Sequence, residues 1–360
     1  MRKNGIRASI LSLMIAAVVG VSISPATADI GVAAVPVATG LQSPVAFAIA
    51  PDGRLVYVER HTGWLRFRHL GTGVDVQVYR IADVKSEGER GAMGLALHPA
   101  WPSKPFVYVF VTRNTPSGVR NQVLRIRVED EAAVGVRQIL SIATGGSSTH
   151  MGGRIAFGPD GKLYVVVGDH GQPANAQDLT ANLRGKILRV NDDGSIPATN
   201  PFGDPIWAYG LRNSIGFAFD RATGRLWQQD NGPECNDELN RIIKGGNHGW
   251  GTRQACPNTN NSGPTPRIRP KYSFVDPLGL TGVAFCVGCG LDPAFEGDLF
   301  VGAVTDGTLR RFDLDATRNG FASGPVVVID QPGPILSIES GPDGRLYFSD
   351  FGAIYRLEPS

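Results

Sequence analysis

The sequence predicts an all-β protein, a six-bladed β-propeller with four-stranded blades. The 360 residues include 46 glycines and 25 prolines, and apolar residues form short runs between turn residues instead of a long helical stripe. A turn containing Asp or Pro, followed by an apolar and aromatic strand, recurs six times along the chain. The six copies are PDGRLVYVER (51–60), HPAWPSKPFVYVFVT (98–112), GPDGKLYVVVGD (158–169), DRATGRLWQQDNG (220–232), DPAFEGDLFVGAV (292–304) and GPDGRLYFSD (341–350).

The spacing of these copies indicates one blade per copy. Their centres lie about 50 to 70 residues apart, and a blade needs about 40 to 50 residues, so some loops are longer than the minimum. One such sheet cannot bury both faces, whereas six sheets packed radially cover one another. A β-sandwich would not explain six similar signals. Two stretches, 171–182 and 256–270, have the composition of inserted loops, where sites are often built.

Residues 1–28 have the features of a secretory signal peptide. Three basic residues precede an apolar run at 10–21, and a small-residue cleavage site ends at Ala28. A membrane anchor is the alternative, but the run is shorter than the roughly 20 residues of a span, and Pro25 follows it. We therefore expect one propeller domain, residues 29–360, that is periplasmic or secreted and is not inserted in a membrane.

The charge balance argues against two classes of partner. The full chain has 35 Lys and Arg against 33 Asp and Glu, and segment 1–28 holds three of the basic residues and no acid, so the mature net charge would be −1. A nearly neutral chain gives no electrostatic reason to expect nucleic acid or an anionic membrane as a partner.

Four cysteines are present, and export favours disulfides over free thiols. The favoured pairing joins Cys235 to Cys256 and Cys286 to Cys289. The first bond would close a loop of about 20 residues and contribute roughly 3 kcal/mol. Zinc binding is the alternative, but only Cys286 and Cys289 have the spacing of zinc ligands.

Three polar residues stand beside glycines directly before predicted strands. His150 precedes the pair 152–153, which we expect to leave room for a flat or bulky group near the backbone. Arg212 and Asn213 lie between two glycines, and arginine offers a planar fork for carboxylates or for charge on an oxygen. Each feature alone is equally consistent with an ordinary surface loop.

A further turn, Gly232-Pro233, is followed by Asp237 and Glu238. Main-chain carbonyls with nearby carboxylates are the ligands that calcium selects, although a turn with solvated acids has the same sequence. In a propeller, such loops gather at one end of the central channel. We therefore expect His150 and the residues named above to converge there.

Taken together, these segments resemble the glucose/sorbosone dehydrogenases, soluble aldose sugar dehydrogenases that depend on pyrroloquinoline quinone (PQQ). The likeness runs from about Leu41 to Leu357. The motifs occur in the family's order: GERGAMGLALHP (88–99), HMGGRIAFGPDGKLYVVVGDHG (150–171), GKILRVNDDGSIPATNPF (185–202), YGLRNSIGFAFD (209–220) and NGPECNDELNRIIKGGNHGWG (231–251).

The resemblance implies an enzyme that oxidises an aldose at C1 to its lactone and passes electrons to a quinone or small redox acceptor. His150 matches the family's general base on the sugar hydroxyl, a role suited to an imidazole that titrates near neutral pH. Arg212 and Asn213 match residues that hold the quinone oxygens of PQQ.

Further positions follow from the same likeness. Gly232 and Pro233 match the carbonyl donors to calcium, with Asp237 as their support. Asn231 and His170 stand at additional cofactor positions, although His170 is equally explained as a loop histidine with its hydrogen bonds made inside the protein.

The chain departs from the family at its cationic positions. Thr305 stands where tight PQQ binders have a lysine, and Pro334 and Leu336 fall where one branch has arginines. Losing up to three cations opposite three carboxylates would cost several kcal/mol, at about 1.5 to 3 kcal/mol for each charge-assisted contact. Arg253 and Arg310 are candidate replacements.

These departures keep two alternatives open. One is a non-catalytic propeller that binds carbohydrate or protein, as the related hedgehog-interacting proteins do. The other is a calcium-dependent sugar lactonase, which would need a cage of acidic and amide side chains at the channel mouth.

Overall fold

The computed structural model describes residues 31–180 and 182–360, and the expected signal peptide, 1–28, lies outside the described residues. Residues Gly31–Ser360 form one compact unit. Within the described residues, 24 β-strands are joined by loops, with one short helix, α1 (Ala174–Gln177), and a 3₁₀ turn at Pro293–Phe295.

The strands form six four-stranded sheets, and neighbouring strands in each sheet are antiparallel. The chain begins with β1 (Val32–Thr39), which belongs to the last blade. Blade 1 consists of β2 (Ala46–Ile49), β3 (Arg54–Val58), β4 (Trp64–His69) and β5 (Asp75–Arg80). Blade 2 consists of β6 (Ala92–Leu97), β7 (Phe106–Thr115), β8 (Gly118–Glu129) and β9 (Ala132–Ala143). Blade 3 consists of β10 (Ile155–Phe157), β11 (Leu163–Val167), β12 (Lys186–Val190) and β13 (Ile206–Tyr209).

The second half repeats the same order. Blade 4 consists of β14 (Gly216–Phe219), β15 (Leu226–Asp230), β16 (Asp237–Ile242) and β17 (Tyr272–Phe274). Blade 5 consists of β18 (Leu280–Phe285), β19 (Leu299–Ala303), β20 (Thr308–Phe312) and β21 (Val326–Asp330). Blade 6 consists of β22 (Ser337–Ser340), β23 (Leu346–Ser349), β24 (Ala353–Pro359) and β1.

The two ends of the described chain close the ring. β1 pairs with β24 from Val32 opposite Pro359 to Thr39 opposite Ala353, so the first strand completes the last blade. The inner strand β2 contacts both β6 and β22, which makes blades 1 and 6 neighbours. The predicted six-bladed, four-stranded propeller is therefore confirmed.

The six sequence repeats correspond to the second strand of each blade. This strand is covered on both faces by adjacent blades, so it reads as a continuous apolar run; all five residues of β11 are buried. The preceding turn contributes a recurring contact. The Tyr164 hydroxyl donates to the Asp160 carboxylate at 3.0 Å, and the Tyr347 hydroxyl donates to Asp343 at 2.9 Å. Strand burial and this turn together explain the PDG-x-L-Y pattern that blades 3 and 6 share.

The core consists of layers between neighbouring blades. Between blades 1 and 2, for example, Phe67 meets Trp101 edge to face with ring centroids 6.0 Å apart, among buried Val, Leu and Ile side chains. Burying one large apolar side chain contributes about 1.5 to 3 kcal/mol. These layers hold the blades as a rigid frame for the loops at their ends.

Both disulfides have the favoured pairing. Cys235 is bonded to Cys256 and Cys286 to Cys289. The first bond ties the inserted segment 256–270, which lies between β16 and β17 and contains no strand, to the turn after β15. Among the described residues, no helix is long and apolar enough to cross a membrane.

Candidate active site

A cavity of about 430 Å³ lies at one end of the ring. Its wall contains residues just before the inner strands and just after the second strands. Because adjacent strands are antiparallel, these positions share one end of every blade. All six blades contribute, through Val45, Arg60, Glu89, Met93, Arg154, Asn213, Ile215, Asn231, Gly232, Asp237, Pro277, Gly279, Thr281, Val304, Thr305, Leu336 and Phe351.

His150 is held beside this cavity in an unusual conformation. Its φ is 54°, in the left-handed region that costs a non-glycine residue about 1 kcal/mol or more. Its main-chain N–H donates to the cavity residue Glu89 at 2.8 Å. Its Nδ1 lies 2.7 Å from Oδ1 of Asp169, and its side chain retains 16% exposure. The imidazole is thus held through Nδ1, while no described residue bonds its Nε2.

Asp169 determines which nitrogen of His150 is free. The carboxylate is fully buried and also accepts from the Gly171 N–H at 2.7 Å and from Nε1 of Trp250 at 2.8 Å. An ionised carboxylate can only accept hydrogen bonds, so Nδ1 of His150 carries the proton and Nε2 is the basic nitrogen.

The glycine pair beside His150 has a different purpose from the one expected. A Cβ on Gly153 would lie 2.6 Å from Met93 of blade 2, and one on Gly152 would lie 2.6 Å from the Val166 carbonyl oxygen. Both residues have positive φ. The protein's own chain fills the space that the sequence suggested for a ligand. Gly153 is needed to pack blade 3 against blade 2, and Gly152 to let the segment after His150 approach β11.

Arg212 and Asn213 form a turn whose main chain is bonded to the Asp230 carboxylate. The Asp230 carboxylate accepts the main-chain N–H groups of both residues, at 2.8 and 2.7 Å. Burial raises the pKa of Asp230 to about 7, against the lowering effect of these two donors. The Arg212 guanidinium lies 5.4 Å from the Trp250 ring centroid and donates to the Asn231 carbonyl at 2.9 Å.

Two polar atoms of this turn have no protein partner. Nε of Arg212 and Oδ1 of Asn213 are buried without a hydrogen bond to any described residue. Asn213 lines the cavity and is only 8% exposed. Since buried polar atoms are nearly always paired, these atoms are available to a polar ligand such as PQQ, whose quinone oxygens are acceptors for the arginine.

The Gly232-Pro233 turn offers main-chain oxygens. Asp237 fixes the turn, because its carboxylate accepts the N–H groups of Gly232 at 2.9 Å, Leu278 at 2.7 Å and Gly279 at 2.8 Å. Among the described residues, no donor bonds to the carbonyl oxygen of Gly232 or Pro233. Free carbonyls beside a fixed carboxylate fit a calcium ion.

Side chains alone do not supply a metal site in the described chain, where no group of three or more His, Cys, Asp or Glu could hold an ion. A cation at this turn would therefore depend on the carbonyl oxygens. Glu238 does not assist them, because its carboxylate accepts instead from Asn240 at 3.2 Å and Asn260 at 2.6 Å.

Asn231 and His170, the two remaining candidates from the sequence, have their side chains bonded within the protein. The Asn231 side chain lines the cavity, but it bonds the main chain of Leu280 in both directions, at 2.9 and 2.7 Å, and so joins blades 4 and 5. His170 is 1% exposed and its Nε2 bonds Asn121 at 3.1 Å. Burial lowers the pKa of His170 to about 4. These properties favour the explanation of His170 as a loop histidine bonded inside the protein over a cofactor contact.

The cations of the cavity are not those suggested from the sequence. Thr305 and Leu336 line the wall without charge, and Pro334 lies in the adjoining depression. Arg310 is paired with Asp306 at 2.5 Å and does not line the cavity. Arg253 is exposed and is likewise absent from the cavity wall. The arginines that do line it are Arg60 and Arg154.

Sequence reasoning missed Asp169 and Trp250 as well as these arginines. Asp169 lies two residues after the end of β11, and Trp250 lies in the glycine-rich segment 245–251. Both lie within motifs that the sequence shows, but only the three-dimensional structure shows the hydrogen bond that joins Asp169 of blade 3 to Trp250 in the loop after β16 of blade 4.

The fold and the cavity define a six-bladed propeller with a polar site built by loops at one end of the ring. Residues 41–356 match the family model described as Glucose / Sorbosone dehydrogenase. The chain belongs to this family.

Several relatives extend the comparison. The aldose sugar dehydrogenase YliI of Escherichia coli is 28% identical, over 85% of this chain and 86% of its own. The PQQ-bound aldose sugar dehydrogenase structure from Streptomyces coelicolor is 27% identical, with a TM-score of 0.79 over 91% of this chain and 98% of that chain. The hedgehog-interacting protein of Mus musculus is 26% identical over 51% of this chain and 31% of its own length.

Proposed function

We propose that this chain is an exported, PQQ- and calcium-dependent dehydrogenase that oxidises an aldose at C1 to its lactone. Its electrons would pass to a quinone or small redox acceptor. Membership of the family and the PQQ-bound relative support the cofactor and the class of substrate. The observation that carries the proposal is the His150–Asp169 pair beside a cavity whose wall includes Asn213, which follows Arg212 and its buried, unpaired Nε in the chain.

His150 would act as the general base. Its Nε2 would take the proton of the anomeric hydroxyl, since hydride leaves readily only from the deprotonated alcohol. Asp169 would hold the ring in the tautomer that leaves Nε2 basic and would stabilise the imidazolium that forms. A positioned base of this kind contributes about 10²- to 10⁴-fold to the rate.

Arg212 and Asn213 would bind the cofactor, and the Gly232 and Pro233 carbonyls would hold calcium, with Asp237 keeping the turn in place. When bound, PQQ supplies the acceptor for the hydride from C1, and calcium polarises the quinone carbonyl. The Arg212 charge would stabilise negative charge on the cofactor's oxygens. Asn231 would contribute by fixing the junction between blades 4 and 5 next to these groups.

Reconstitution tests this proposal. Purified apoprotein should reduce a dye in the presence of an aldose once PQQ and Ca²⁺ are added. His150→Ala should lose this activity while still binding PQQ. His69→Ala is the matched control, because His69 lies on β4 and pairs with Glu131. Failure of the wild-type protein to bind PQQ at micromolar concentrations would refute the assignment.

A non-catalytic propeller that binds carbohydrate or protein is the second candidate. The uncharged Thr305 and Leu336 on the cavity wall favour it, as does the likeness to hedgehog-interacting protein. Carbohydrate binding without PQQ binding would support this candidate. Lactone hydrolysis that needs calcium but no PQQ would support the lactonase instead.

A further inference from the structure

One of the residues that line the cavity is a buried arginine whose charge is poorly balanced. Arg154 is 6% exposed and lines the cavity. Its hydrogen bonds are long, at 3.3 Å from Nη1 to the Val45 carbonyl and 3.4 Å from Nη2 to the Leu336 carbonyl. Its ion-pair partner, Glu339, is 3.6 Å away, and the side chain of that residue is 32% exposed.

This environment leaves a demand for negative charge. A buried cation is stable only when it is paired and hydrogen-bonded, and a guanidinium has five N–H donors. Arg154 uses two of them in long bonds to carbonyls, which carry no net charge. Burial lowers the pKa of Arg154, and the charge of Glu339 opposes this only in part.

The other arginine that lines the cavity, Arg60, is more fully engaged. Arg60 donates to the carbonyls of Arg90, at 3.0 Å, and Gly88, and the negative charge of Glu89 acts on it. Arg212 also has a buried Nε without a partner, but it does not line the cavity. Of the two arginines on the cavity wall, Arg154 therefore has the larger spare capacity for an anion.

We propose that Arg154 binds a carboxylate of the cofactor, supplying the positive charge that Thr305 and Leu336 do not supply. The inference rests on the proposed function, because PQQ is the tricarboxylate in question. Arginine suits this role since its planar fork can hold both oxygens of a carboxylate. Arg154 would then exchange a distant partner, Glu339, for a closer one when the cofactor binds.

The test is a PQQ titration of apoprotein variants followed by absorbance, with the melting temperature of each apoprotein as a second readout. Arg154→Met should weaken PQQ binding about 10- to 100-fold, the effect of losing one charge-assisted contact. Glu339→Gln should tighten it about 2- to 5-fold, because Arg154 loses a competing partner. Arg310→Met, which removes a cation paired away from the cavity, should leave the affinity unchanged.

A merely structural ion pair makes the opposite prediction. In that case both single variants would lower the melting temperature, and both would bind PQQ with the affinity of the wild-type protein. Arg154→Met alone leaves the Glu339 carboxylate unpaired, which could impair folding. The double variant Arg154→Met with Glu339→Gln removes that unpaired charge, and it should show the same loss of PQQ affinity, about 10- to 100-fold, that is expected for Arg154→Met. Unchanged affinity in the Arg154 variants overturns the inference and leaves the proposed function standing. Absence of PQQ binding to the wild-type protein overturns both.

Discussion

Replacing Asp169 with asparagine would convert the best-supported contact of the site into a mismatch. The carboxylate accepts three N–H groups, from His150, Trp250 and Gly171, at 2.7, 2.8 and 2.7 Å. An asparagine has one oxygen, so at least one of these donors would face an NH₂ group. If that donor is His150, its proton moves to Nε2 and the basic nitrogen is lost.

The magnitude follows from these contacts. An unsatisfied buried donor costs about 1 to 3 kcal/mol of stability, which a chain with large inter-blade cores should tolerate. Loss of a general base costs about 10²- to 10⁴-fold in kcat. We therefore expect Asp169→Asn to fold, to bind PQQ, and to reduce dye at saturating aldose at least about 100-fold more slowly than the wild-type protein.

The assay is steady-state dye reduction by the reconstituted enzyme. Asp193→Asn is the matched control, since Asp193 lies in the exposed turn after β12 and accepts from the Ser195 N–H. Combining Asp169→Asn with His150→Ala should lower kcat no further than His150→Ala alone, because residues that act as a unit are not additive. An Asp169→Asn enzyme within a few-fold of wild-type activity would refute the tautomer argument.

The remaining predictions concern stability and calcium. Burial lowers the pKa of His170 to about 4 and of His248 to about 3. Below pH 6.5 the unfolded chain therefore binds more protons than the folded chain. As the pH falls from 6.5 to 4, each histidine lowers the free energy of unfolding by roughly 1.4 kcal/mol per pH unit. In urea unfolding between pH 6.5 and 4, the free energy of unfolding of His170→Gln should fall less steeply with falling pH than that of the wild-type protein. Equal dependence on pH in the two proteins would contradict this. Gly232→Ala puts a Cβ 1.8 Å from the Cys235 carbonyl oxygen, so the turn must move, and any rise in Tm on adding Ca²⁺ should disappear. Asp237→Asn replaces one of the two carboxylate oxygens that together accept three N–H groups, so it should reduce the Ca²⁺-dependent rise in Tm. An undiminished rise in Tm in either variant would place calcium elsewhere.

The architecture was predictable because it depends on a repeated local signal. Each second strand is covered on both sides, so its composition shows burial directly, as in β11. In blades 3 and 6 the preceding turn adds an Asp–Tyr contact. The closing role of β1 was not predicted, because its pairing with β24 joins opposite ends of the chain.

The candidate site was only partly predictable. Residues in distinctive turns, such as Arg212 and Gly232, stand out beside glycines, whereas Arg154 looks like any charged residue before a strand. Its importance comes from burial at the centre of the ring and from its distance to Glu339, both of which depend on packing between blades. The pair 152–153 shows the converse, since glycines needed for packing resemble glycines that make room for a ligand.

The most direct measurement of the central claim is an absorbance titration of metal-free apoprotein with PQQ, performed with Ca²⁺ and again with EGTA. The account predicts saturable binding of one PQQ per chain that is tighter with Ca²⁺, and that weakens when Arg212 is replaced by methionine. No spectral change up to micromolar PQQ in the presence of Ca²⁺ would contradict it.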